Sequence, residues 1–195
     1  MNSILSKNAF FVKEHVGMFK AANNFDILDP ESGQIVLECR EPQLGFFTKL
    51  LRFSDYKRNT PFNIVVGDTA GNRVVSVRRG VSFFRSTVEV LDETGTAIGS
   101  FRQKLLTIGG KFEVMDASGA SLCMLIGSWT SWDFRFEQDG VVIAKVAKKW
   151  AGIGKELFTS ADNYMLTIAE TVPADAPVRR LILAAVLCID MVLKE

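Results

Sequence analysis

The sequence predicts a mainly β fold: an antiparallel closed barrel of about twelve strands, made of successive hairpins around a central apolar helix. Three observations lead there. Strand-like runs recur between residues 25 and 147 with an Asp and a Gly between them. Near the C-terminus nine apolar residues follow one another, Leu181 to Ile189. The supply of core residues is large, with 48% hydrophobic residues and 15 Phe among 195. A chain of this length is read as one domain, residues 1–195, with the barrel over roughly 9–170 and the helix over roughly 175–193.

The strands come in pairs. Phe25-Asp26-Ile27-Leu28 leads to Asp29 and Gly33, and Asn63-Ile64-Val65-Val66 to Asp68 and Gly71. Val88-Glu89-Val90-Leu91 leads to Asp92 and Gly95, Phe112-Glu113-Val114-Met115 to Asp116 and Gly119, and Phe134-Arg135-Phe136 to Asp139 and Gly140. Asp bonds its own backbone in a turn and Gly accepts positive φ, so each unit is a hairpin. Alternation separates the faces: Phe112 and Val114 point one way and Glu113 the other, as do Phe134 and Phe136 against Arg135. Phe10-Phe11-Val12 before the hairpins and Tyr164-Met165-Leu166-Thr167-Ile168 after them complete the strands. A long meander must close or stack to remove its edges.

The helix fits that closure. Pro173-Ala174-Asp175-Ala176-Pro177 breaks the chain, Asp175 is expected to cap, and Pro177 suits the first turn. The run beyond it has no polar face, so protein or lipid must enclose it. Extended to Leu193 it is roughly 20 Å long, against about 30 Å of hydrocarbon. It also contains Asp190, and a carboxylate at mid-membrane costs about 2.5–3.5 kcal/mol. Enclosure by the barrel is expected, and no transmembrane span. A closed sheet of about twelve strands is too wide for its own side chains to fill, so helix and lumen suit each other. Arg179 and Arg180, in the first turn, oppose the helix dipole. They are expected to snorkel into solvent at the barrel mouth, or else to meet acidic groups or anionic headgroups.

Little points to catalysis. His15 is the only histidine, read into an early strand, and there is no phosphate loop, Cys-x-x-Cys or His-Glu-x-x-His. Gly109-Gly110 before Lys111 reads as a hairpin turn. Cys39, Cys123 and Cys188 have no paired spacing and are expected to be reduced and buried. A net charge of +1 argues against a nucleic-acid partner. The first residues lack the apolar stretch of a signal peptide, so a cytoplasmic protein is expected, either free or peripheral to a membrane. No enzyme activity and no cofactor are expected.

Residues 149–164 bear a recognisable pattern: Trp150-x-Gly152, then Glu156-x-Phe158-Thr159-x-Ala161-Asp162-Asn163-Tyr164, before a last strand and the apolar helix. This resembles the phospholipid scramblase and LURP-one-related family, which has the tubby C-terminal-like fold. The resemblance is specific over residues 149–164 and 178–193, and implies a twelve-stranded barrel around the C-terminal helix. The Ca²⁺ segment proposed for animal scramblases has alternating acids here, whereas this chain keeps Asp162 and then Leu166, Ile168 and Ala169. Ca²⁺ takes six to eight oxygens. Asp162 is therefore at most a weak Ca²⁺ candidate, and Asp162-Asn163 reads as a turn.

Basic residues near aromatics supply the functional expectation. Arg78 and Arg79 lie near Phe83, Phe84 and Arg85; Lys145, Lys148, Lys149 and Lys155 lie near Trp150. Such sets suit anionic phospholipid headgroups, with rings in the interfacial layer. Lys148 and Lys149 fall on opposite faces of a strand, and a solvated outer face is the plainer reading. The expectation is a non-enzymatic binding module that docks on anionic phospholipids through Arg78, Arg79, Lys145, Lys148, Lys149 and Trp150. The alternatives are a protein-binding or structural role without lipid, and, last, a scramblase.

Overall fold

Twelve antiparallel strands each pair with their neighbours in the chain, the first pairs with the last, and the sheet closes on itself. The computed structural model describes residues 3–14, 24–41, 61–80, 87–103, 111–128, 133–148 and 163–193, with side chains in the last helix to Ile189. The strands are β1 (Ala9–Glu14), β2 (Phe25–Leu28), β3 (Ile35–Arg40), β4 (Phe62–Asp68), β5 (Arg73–Arg79) and β6 (Thr87–Leu91). They continue as β7 (Ala97–Gln103), β8 (Lys111–Asp116), β9 (Ser121–Ser128), β10 (Asp133–Gln138), β11 (Val141–Ala147) and β12 (Asn163–Ile168). A single 3₁₀ turn, Ser3–Ser6, precedes them, and the helix α1 (Val178–Leu193) follows.

All five expected hairpins form, and four share one chemistry. In β6–β7, the Gly95 N–H donates to the Asp92 carbonyl at 3.1 Å, and Asp92 Oδ1 accepts from the Thr94 and Thr96 amides at 2.9 Å each. Asp68 and Asp116 bind their turns in the same way, and Asp29 accepts from Glu31. Gly95 sits at φ 88°, which a side chain would resist. The fifth turn is the two-residue kind, with positive φ at both Asp139 and Gly140. A register shift beside each turn, such as Val90/Leu91 and Val114/Met115, adds the twist that closure requires.

The helix fills the lumen. Leu181 through Ile189 are all buried among the inward Phe and Val of the strands. The wall is cut to fit: a Cβ at Gly99 would lie 2.8 Å from Leu181 Cδ2. One apolar gap of about 10 Å³ remains, between Ala185, Cys188, Ile189 and the wall residues Val88, Phe101, Phe112 and Leu125. That is room for no more than a single water.

Two details differ from the sequence reading. The helix starts at Val178, so Asp175 lies in the preceding turn and does not cap it. Asn163 is not in a turn: it opens β12, buried and opposite Lys13 of β1. His15, Phe83, Phe84, Arg85, Gly109, Gly110, Lys149, Trp150, Lys155 and Asp162 lie outside the described residues.

Candidate functional site

Those of the basic residues singled out from sequence that the structure describes are dispersed around the barrel. Lys145 stands exposed on the outside of β11, opposite Arg135 of β10 on one side and Thr167 of β12 on the other. Arg135 is held by Glu137, whereas Lys145 has no ion-pair partner among the described residues. Lys148, just past β11, lies over the Tyr164 ring at 5.8 Å from its centroid. Arg78 projects outward from β5 and pairs with Glu89 of β6 at 2.7 Å. In the closed order β5 and β11 are six strands apart in either direction. Arg78 and Lys145 therefore face opposite ways and share no lateral patch.

Arg79 is a correction. It follows Val75 and Val77 in the inward alternation, is only 4% exposed, and lies over the Phe62 ring at 4.8 Å. A strand turns neighbouring residues to opposite faces, so Arg78 and Arg79 never act together on one surface. The alternating pattern Val75-x-Val77-x-Arg79 carried that information.

Arg179 and Arg180 part company. Arg180 pairs with Glu93 of the β6–β7 turn at 3.0 Å, which realises the acidic-partner reading. Arg179 does not reach solvent: it is 3% exposed. Its Nε donates to the Pro173 carbonyl at 2.8 Å, and Nη1 to the carbonyls of Leu5 and Lys7. Nη2 donates to Asn8 Oδ1 at 2.7 Å and to the Val172 carbonyl at 2.8 Å. The guanidinium thus joins the chain's first segment to the connection that enters the helix, and burial pushes its pKa down.

Other groups offer less chemistry. Asp68, Asp92 and Asp116 have carboxyl pKa values held low by bonds to Asn72, Thr94 and Ser118 respectively, each with further turn amides. Their oxygens are spent on their own turns. Among the described residues no group of three or more His, Cys, Asp or Glu could hold a metal ion. Burial pushes the Cys123 thiol up to about 12, and the Cys39 and Cys188 thiols up as well, so none is a ready nucleophile. Hollows of about 390 and 310 Å³ flank the entry to α1, the larger between Ile98, Leu122, Ile143 and Leu181. Its one carboxylate, Asp116, is already engaged.

A closed twelve-stranded barrel filled by an apolar C-terminal helix defines the tubby-like class. The Scramblase family profile matches residues 1–195, and the chain belongs to that family. It is 24% identical over 188 residues to Altered inheritance rate of mitochondria protein 25 of Saccharomyces cerevisiae, covering 84% of this chain and 57% of that one. It is 25% identical over 128 residues to human Phospholipid scramblase family member 5, covering 58% of this chain and 46% of that one. The chain thus spans about half the length of these relatives. An X-ray structure of an Arabidopsis thaliana protein shares the fold at a TM-score of 0.53, with 15% identity over 94% of this chain and 90% of that one. Among the described residues, no helix is long and apolar enough to cross a membrane.

Proposed function

We propose that this chain is a non-enzymatic module that docks reversibly on anionic phospholipid headgroups, at the cytoplasmic surface of a membrane. Family membership supports the lipid class. Lys145 is the observation that carries the reading. It is an exposed ammonium directly opposite Arg135, with no carboxylate of its own among the described residues. Arg135 is already paired with Glu137, so Lys145 is the cation on this part of the wall that an external anion such as a lipid phosphate can pair with. Lys145, Lys148 and Lys149 are the phosphate partners in this reading, with Trp150 as the interfacial anchor; Arg78, paired with Glu89 on the far side of the barrel, is not among them.

The test is co-sedimentation with vesicles of phosphatidylcholine, with and without phosphatidylserine. Each basic residue near an anionic surface contributes about 1 kcal/mol, so replacing Lys145, Lys148 and Lys149 with Ala should weaken binding roughly a hundredfold. Binding should also fall as salt rises, since the Debye length shrinks from about 10 Å at 0.1 M to 3 Å at 1 M. A parent protein that ignores anionic vesicles, or a triple variant that binds as well as the parent, overturns this reading in favour of a protein partner.

A further inference from the structure

The barrel is wider at its mouth than the helix that enters it. Hollows of about 390 and 310 Å³ lie on either side of Ala176-Pro177, and Ile98, Ala176 and Pro177 line both. They are two sides of one opening, each within the range of about 300–1,000 Å³ typical of ligand sites. The floor of the larger is apolar, formed by Leu122 of β9, Ile143 of β11 and Leu181 of α1. Gln138 and Thr171 add neutral hydrogen-bonding groups at its edge. Opposite Gln138 in the β10–β11 ladder, Val141 is 59% exposed. Apolar surface is therefore left facing water at this end.

The opening is held in shape. Arg179 donates to the Val172 and Pro173 carbonyls at 2.8 Å each. The Ala169 N–H donates to the Ile143 carbonyl at 2.9 Å, and the Ala176 N–H to that of Pro173 at 3.0 Å. A wall fixed beforehand spares a ligand the cost of ordering it.

Its border is acidic. Residues 92–98, 116–122, 138–143 and 169–180, all of them described, carry six carboxylates and two cations. Of those cations, Arg180 is taken by Glu93 at 3.0 Å, and Arg179 is buried among neutral oxygens. Lys7, two residues past Leu5 of the smaller hollow, is taken by Asp29 at 2.9 Å. Arg73 opens β5, two strands from Ile98 of β7. Asp92, Asp116, Asp139, Glu170 and Asp175 are left around the opening with no cation of their own among the described residues. Turn bonds hold the Asp92 and Asp116 carboxyls below the ordinary range, so both are charged at neutral pH. An apolar hollow ringed by carboxylates fits an occupant that is apolar at its centre and cationic at its flanks.

We propose that the mouth where α1 enters the barrel is a docking site for a basic, apolar peptide segment of a partner protein. An apolar side chain of that segment fills the larger hollow, and flanking Lys or Arg residues meet Asp116, Asp139, Glu170 and Asp175. Gln138 and Thr171 hydrogen-bond its backbone. The site is separate from Lys145 on the outer wall and does not depend on lipid docking.

The probe is the fluorophore-labelled peptide Lys-Lys-Leu-Trp-Leu-Lys-Lys, titrated with the full chain and read by anisotropy. Two control peptides carry Glu in place of its Lys, or Ser in place of its Leu and Trp. The parent should bind the first peptide at least about tenfold more tightly than either control, and less tightly as salt rises. Glu170→Lys with Asp175→Lys, both exposed, should weaken that binding about tenfold, because attraction at two positions becomes repulsion. Ala176→Trp, which occupies the space between the hollows, should abolish it. Failure of the first peptide to bind, equal binding of either control, or an unweakened double variant overturns the proposal. A parent that takes up oleate in place of the peptide would put a lipid tail in the hollow and overturn it too. Vesicle co-sedimentation reads the Lys145 wall, so either reading can fail while the other stands.

Discussion

Arg179 is buried, and five neutral oxygens take the place of a counterion. A guanidinium can do this because its donors are fixed in a plane and reach several carbonyls at once, which an ammonium on a flexible stem cannot match. Its position in the first helical turn sets it against the helix dipole, so the bonds must outweigh that cost. Replacing Arg179 with Ala leaves the carbonyls of Leu5 and Val172 buried and unanswered, each at about 1–3 kcal/mol. The expected loss is about 3 kcal/mol, read as a lower urea midpoint, with Arg179→Lys falling between the variant and the parent. Faster amide hydrogen exchange over residues 5–8 should accompany it, because the guanidinium is what ties that segment to the helix entry. A variant with unchanged midpoint and exchange would deny Arg179 this role.

Among the elements, the Asp-led hairpin is the repeating unit, and its carboxylate is the part that titrates. The folded pKa values of Asp68, Asp92 and Asp116 lie below the ordinary carboxylate value because turn bonds favour the charged form. Stability from these groups is thus fully present above the unfolded value of about 4 and is lost as pH falls through the lower folded values. Asp116→Ala should lower the midpoint of denaturation at pH 7, and the gap between variant and parent should narrow as pH drops below about 4. A gap independent of pH would mean that the carboxylate's charge contributes nothing. These hairpins were legible in the sequence because a turn is local: Asp, Gly and the flanking alternation all lie within ten residues. The apolar helix was legible for the same reason. The place of Arg179 was not, because it depends on the meeting of residues 5–8, 172–173 and the helix, which are far apart in the chain. Nor was the separation of Arg78 from Lys145, which follows only once strands are counted around a closed sheet. Arg79 is the exception: its inward direction could have been read from Val75 and Val77.

The whole molecule depends on two distant parts of one chain arriving together. β1 pairs with β12, setting Ala9 opposite Thr167, and this last ladder leaves the sheet with no edge. A ring of twelve strands encloses more space than wall side chains can fill, since about eight already leave room only for side chains. The helix is therefore part of the core and covers the inward Phe and Val of the strands. Leu187, fully buried, tests this. An unpaired ammonium there costs several kcal/mol against a total stability of about 5–15 kcal/mol. Leu187→Lys should yield no soluble folded protein, and deletion of residues 178–195 should leave a shell that aggregates through its uncovered lumen. Leu187→Met, which conserves volume and polarity, should cost less than about 1.5 kcal/mol and fold normally. Expression and circular dichroism of the three proteins decide the matter: a soluble, cooperatively melting Leu187→Lys variant would mean that the helix can leave the barrel, and that the sheet stands without it.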